Sequence, residues 1–200
     1  EAECKGYIDF QKVIDGCISL KPGMKVYWIN RSKALLLAVI GREDPAKGCD
    51  MVGAHLDAPR LDFRPNPLYE DHDLAFAKTH YYGGIKKYQW VSVPLAIHGV
   101  ISKTDGTMLN VCLGEKEDDT VYVINDLLPH LAYDQIEKRA SDVITGENLN
   151  LMIGSIPYAP ENPEDAKGVK ANLLKLIYEK YGITERDFNF AELEVVPALD

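Results

Sequence analysis

From Gly6 to Leu20, apolar side chains at Ile8, Phe10, Val13, Ile14, Cys17 and Ile18 recur near the helical period, and Lys21-Pro22-Gly23 closes the run. This predicts a helix. Lys25 to Ile29 and Ala34 to Ile40 then alternate or run apolar around Asn30-Arg31-Ser32-Lys33, the pattern of a hairpin. Glu43 to Gly48 is a solvated loop, and the apolar run Met51 to Ala54 reads as a buried strand that Pro59 bounds.

The character after Pro59 is β-rich. Leu61-Asp62-Phe63-Arg64 alternates, and the strands Leu68–Tyr69 and Leu74–Ala77 flank a turn at Glu70 to Asp73 that makes His72 an exposed turn residue. Trp90 to Ile101 is a strand pair or one bent strand, with Pro94 at a bulge or edge. The Lys103–Thr107 turn leads to a strand at Met108 to Leu113, and Thr120 to Asn125 is a further strand. Asp126 to Leu131 starts a short helix or turn, Ala140 to Asn148 is loop, and Leu149 to Ile156 is apolar. Tyr158 to Lys167 reads as an extended linker. Lys170 to Tyr181 carries Leu173, Leu174, Ile177, Tyr178 and Tyr181 on one helical stripe ending at Gly182. Thr184 with Asp187 caps a following turn, and Leu193 to Val196 is a strand returning the chain to the first sheet.

This order predicts an α/β class fold in two parts. A partial α/β sheet over residues 1–78 and 191–200 is interrupted by a β-rich insertion over 79–190. With one clear helix to cover its parallel strands, the sheet is expected to be incomplete.

Length and composition narrow the classes. The 200 residues, 46% hydrophobic and 26% charged, are those of a soluble globular chain. The net charge of −9 disfavours nucleic acid and anionic membrane surfaces as partners. No apolar stretch is long enough to span a bilayer, and Glu1 to Gly6 lacks the basic and apolar segments of a signal peptide. Cys4, Cys17, Cys49 and Cys112 form no Cys-x-x-Cys pair, so reduced thiols and a cytoplasmic location are expected, and a zinc ribbon is disfavoured. The Gly-x-Ser-x-Gly elbow, the phosphate loop and the dinucleotide turn have no match.

The chemistry-bearing stretch is His55-Leu56-Asp57-Ala58-Pro59. On a strand, positions two apart share a face, so Asp57 can orient or charge-balance the His55 imidazole, and an imidazole held neutral and oriented is a good zinc ligand. The alternative for the same pair is a hydrogen-bonded histidine at a strand end. His98 reads as a satisfied core or interface histidine, and Gly83-Gly84 as a tight turn.

With this stretch, the segments Pro65-Asn66-Pro67-Leu68-Tyr69-Glu70-Asp71, Thr79-His80-Tyr81-Tyr82-Gly83-Gly84-Ile85, Lys86-Lys87-Tyr88-Gln89-Trp90 and Ala191-Glu192-Leu193-Glu194-Val195-Val196-Pro197 occur in an order and spacing that resemble the aspartyl aminopeptidase and aminopeptidase I family of dinuclear-zinc exopeptidases. The likeness runs from about Gly23 to Pro197. It implies a metalloaminopeptidase acting on peptide substrates with two zinc ions, His55 as a metal ligand and Asp57 as the catalytic residue orienting it. It also implies that the insertion is a dimerisation domain through which subunits form homo-oligomers. In the family the bridging Asp, a Glu-Glu pair, another Asp and a last His follow the returning strand, and this sequence has no Glu-Glu pair. The chain is therefore expected to be a fragment or a truncated relative that alone binds no stable zinc and is inactive. His80, and His130 with Asp134, are candidates for substrate or subunit contact, with a structural role as the alternative for both histidines. Asp134 stands where some relatives place a histidine that reaches a neighbouring subunit. Competing readings are a non-catalytic assembly module and a metal-independent peptide-binding protein.

Overall fold

The computed structural model describes residues 1–158 and 168–198. The linker expected over Tyr158–Lys167 therefore falls, beyond Tyr158, outside the described residues. The chain divides into two compact units, Glu1–Asp57 and Ala58–Asp200.

The first unit is a three-stranded sheet in the order β1 (Ile8–Asp9), β2 (Lys25–Asn30), β3 (Ala34–Val39). The expected hairpin is present in register from Lys25↔Val39 to Asn30↔Ala34, and Arg31 and Ser32 take positive φ at its turn. The helix expected over Gly6–Leu20 is not formed. Ile8 and Asp9 pair parallel with β2 instead, and only α1 (Gln11–Ile14) is helical. The Asp9 carboxylate accepts the Gln11 amide N–H at 2.9 Å, so the helix starts there, and Gly16 at φ 74 turns the chain away. The strand expected at Met51–Ala54 is also absent: residues 48–59 have no regular secondary structure, and Met51 and Val52 are 85% and 99% exposed. An apolar strand is stable only between partners, and the sheet of this unit offers none to these residues.

The second unit is built on a six-stranded antiparallel sheet in the order β7-β6-β9-β4-β5-β8. Its strands are β4 (Arg60–Asp71), β5 (Leu74–Tyr82), β6 (Leu95–Ser102), β7 (Met108–Leu113), β8 (Leu151–Gly154) and β9 (Ala191–Pro197). His72 and Asp73, both at positive φ, make the tight turn between β4 and β5, and His72 is exposed as expected. Pro65 and Pro67 cannot donate to the ladder, and the β4–β5 register shifts between Phe63 and Leu68 around Asn66 at φ 50. The Asp105 carboxylate accepts the Thr107 amide and hydroxyl, closing the β6–β7 turn.

Two expectations are corrected in this sheet. Val195 and its neighbours do not return to the first sheet: β9 lies between β6 and β4, and the expected boundary at residue 78 would cut β5. The alternating apolar pattern of Leu193–Val196 fits any half-buried strand and does not name its partner. Thr120–Asn125 is not a continuous strand. Tyr122 bridges to Leu95 while Val123 bridges to Met152, so its backbone bonds divide between two strands.

One face of the sheet is the core. Leu113, Ile97, Val195 and Leu61 face one another across four strands, and Leu61, Val195, Leu95 and Leu151 are fully buried, each contributing about 2 kcal/mol. The helix α3 (Val169–Tyr181) lays Leu174, Ile177 and Tyr181 on this core, while Tyr178 of the expected stripe is exposed. Gly168 supplies no cap, and the Glu70 carboxylate accepts the Lys170 N–H at 2.8 Å instead. Gly182 at φ 63 ends the helix, with Lys103 Nζ donating to the Tyr181 carbonyl at 2.7 Å. The Thr184–Asp187 capping box is formed as predicted.

Candidate functional site

His55 and Asp57 lie in the irregular exit of the first unit, with side chains 83% and 51% exposed. The His55 Nδ1 lies 2.8 Å from the Asp57 backbone carbonyl and 3.3 Å from its carboxylate Oδ1. A carbonyl oxygen can only accept, so Nδ1 carries the proton and Nε2 keeps its lone pair. That tautomer suits a metal ligand. The pair is thus brought together as the sequence suggested, through backbone and carboxylate both, although no strand delivers it.

The donor set is incomplete. Among the described residues no group of three His, Cys, Asp or Glu side chains converges to hold a metal ion. His55 fits zinc as one ligand, and a catalytic site needs about three protein ligands. No reaction step follows from these residues alone.

The other candidates lie in the second unit. His80 is exposed on β5, its ring stacked on Tyr81 with centroids 5.5 Å apart, and it faces Asp62 across the β4–β5 ladder. His130 sits in the single turn Pro129–Leu131, and Asp134 in α2 (Tyr133–Ile136). Both are exposed. This stretch also exposes Leu127, Leu128, Leu131, Tyr133 and Ile136, at 56% to 74%, while Ala132 alone is anchored in the interior. His98 is not a core histidine. It lies on the polar face of β6, where Nε2 meets Glu115 Oε1 at 2.7 Å, because the alternation that buries Ile97 turns its neighbour outward.

That polar face carries a row of paired side chains across five strands: Cys112, His98, Glu194, Asp62 and His80. Arg60 joins it. Its Nε lies 2.8 Å from Asp62 Oδ1 and 3.1 Å from Glu194 Oε1, and its guanidinium stands 4.4 Å from the centroid of the Tyr82 ring. Burial alone would lower the Arg60 pKa, but the Asp62 hydrogen bond and the charges of Asp62 and Glu194 outweigh it and raise it. Arg60 belongs to no motif; the signal in the sequence is the Arg-x-Asp alternation directly after Pro59.

The profile of the family described as aminopeptidase I zinc metalloprotease (M18) matches residues 6–199. A probable M18 family aminopeptidase 1 of Clostridium acetobutylicum is 54% identical over 197 residues, which are 98% of this chain and 42% of that protein. The crystal structure of aminopeptidase I from C. acetobutylicum superposes with a TM-score of 0.82 at 49% identity, over 98% of this chain and 42% of the other. An M18 aminopeptidase structure from Thermotoga maritima gives 0.80 at 46% identity, over 96% and 43%. The S. cerevisiae mApe1 dodecamer, at 18% identity and a TM-score of 0.55 over 89% and 38%, shares the fold. The chain thus spans about two-fifths of the length of its relatives.

Proposed function

This chain belongs to the M18 family of aminopeptidase I zinc metalloproteases, and from that premise we propose that the protein carrying it removes amino-terminal residues from peptides at a zinc site to which His55 gives one ligand. The observation that carries this reading is the Nδ1–H hydrogen bond from His55 to Asp57, which leaves Nε2 for the metal. Asp57 holds the ring from behind, and the remaining ligands and the general base belong to the part of the family's length that this chain does not span. Zinc in such a site supplies carbonyl polarisation and an acidified water. Two ions are proposed, as the sequence resemblance implies.

The first unit is assigned to the catalytic domain. Trp28, Ile29, Leu35, Leu36, Leu37 and Val39 are 45% to 60% exposed on both faces of its hairpin, which supports further polypeptide covering this sheet. The second unit is assigned to assembly into a homo-oligomer, with the exposed 127–136 stretch, including His130 and Asp134, against a neighbouring subunit. The printed dodecamer of the yeast relative supports an assembly of this kind. Among the described residues no helix is long and apolar enough to cross a membrane. The four exposed, unpaired cysteines support a reducing, cytoplasmic setting.

Aminopeptidase assay of the natural protein before and after chelation tests the activity. Loss on chelation and return with zinc is expected; full activity without metal overturns the reading.

A further inference from the structure

We propose that Arg60 is a positioning residue: clamped between Asp62, Glu194 and the Tyr82 ring, it anchors the link through which the His55–Asp57 segment enters the six-stranded sheet.

The clamp sits at the first residue of β4, three positions after Asp57. Its geometry is over-determined. Asp62 and Glu194 are directly opposed on β4 and β9, Tyr82 is the β5 partner of Arg60, and the guanidinium meets all three. Only 19% of its side chain is exposed, so the pairs escape most of the solvent screening that weakens surface ion pairs. The preceding residue is held as well. Gly83, at φ 76, brings its backbone against Pro59, where an added Cβ would touch the Pro59 ring at 3.6 Å. Pro59 has a fixed φ and no N–H. Between this fixed point and Asp57 there is one residue, Ala58. A metal-bearing segment without a strand of its own, as residues 51–57 are here, takes its placement from where its ends are tied, and reaction geometry is sensitive to shifts near an ångström. Asp62 and Glu194 are engaged by Arg60 and are thereby assigned to the clamp, not to a metal.

The inference rests on the reading of His55 as part of a zinc peptidase site. The test uses the natural, full-length protein and compares wild type with Arg60→Met and Arg60→Lys, reading kcat, KM, zinc content and amide hydrogen exchange across residues 51–60. Arg60→Met is expected to lower kcat at least ~10-fold with KM within about twofold and zinc unchanged, and to speed exchange in this stretch. Arg60→Lys, which keeps the charge between the carboxylates, is expected to recover part of both. Unchanged kcat and unchanged exchange in Arg60→Met overturn the proposal. Tyr82→Leu, which leaves both ion pairs in place, is the second variant should Arg60→Met fail to fold, and it is expected to move the same readouts in a smaller degree; wild-type values in it would count against the clamp. A zinc-free, inactive wild type would refute the functional reading instead, and hydrogen exchange alone would then decide whether the anchor exists.

Discussion

His55 Nδ1 and the backbone carbonyl of Asp57 are 2.8 Å apart, closer than the ring is to the Asp57 carboxylate at 3.3 Å. The tautomer is therefore fixed mainly by the backbone. In the natural protein Asp57→Asn is expected to keep the zinc and lose about 10- to 100-fold in activity, the range for residues that support a ligand. His55→Ala is expected to lose one zinc and essentially all activity. Zinc titration with parallel assay separates the two.

The 200-residue chain by itself is expected to hold no stoichiometric zinc and to hydrolyse no aminoacyl substrate, since no three donors converge among its described residues. Metal analysis after zinc loading and desalting checks this. Near one zinc per chain with turnover would mean that the site is assembled from this chain alone.

Leu131→Ser with Tyr133→Ser removes two side chains that are 69% and 74% exposed. If the stretch meets a neighbouring subunit, the double variant is expected to sediment as a smaller species than wild type while each chain keeps its melting temperature. An unchanged sedimentation profile would place the interface elsewhere.

What the sequence disclosed, and what it hid, follows from where the physics is local. The 25–40 and 68–77 hairpins, the 103–107 turn, α3 and the Thr184–Asp187 cap all rest on short-range patterns: alternation, turn chemistry, a glycine terminus. The His55–Asp57 pair was equally readable, because it joins residues two apart. The failures involve partners distant in sequence. Ile8–Asp9 forsakes a helix for pairing with Val26–Tyr27, and Tyr122 and Val123 divide between two strands. β9 could not be assigned to its sheet from alternation alone, and Met51–Ala54 looked like a strand although the unit offers it no neighbour. The Arg60 cluster was hidden for the same reason, since Glu194 lies far along the chain and only the folded sheet brings it near.

Asp187 is 3% exposed and is held below the usual carboxylate range, first by the Thr184 amide N–H and then by the Thr184 hydroxyl. A depressed folded pKa means the cap stabilises above the unfolded value near ~3.9 and is lost as pH falls through the folded value. Asp187→Ala is expected to cost about 1 kcal/mol at neutral pH. Thermal melts from about pH 5 downward should show wild type converging on the variant; a gap that widens on acidification would contradict the assignment.

Gly99 sits at φ 137, and a side chain there would collide with the backbone carbonyl of Glu192 on β9. Gly99→Ala is expected to destabilise the second unit by at least about 2 kcal/mol, measured by urea unfolding, because the clash is with backbone of a central strand that cannot swing away.

The most direct test is metal and mass analysis of the natural protein, purified from its source without chelators, with aminopeptidase activity measured on the same material. The account predicts a chain longer than 200 residues, about two zinc ions per chain, and release of amino-terminal residues that His55→Ala abolishes. A metal-free protein that hydrolyses nothing would contradict it, and would leave an assembly or peptide-binding protein that kept this fold without its chemistry.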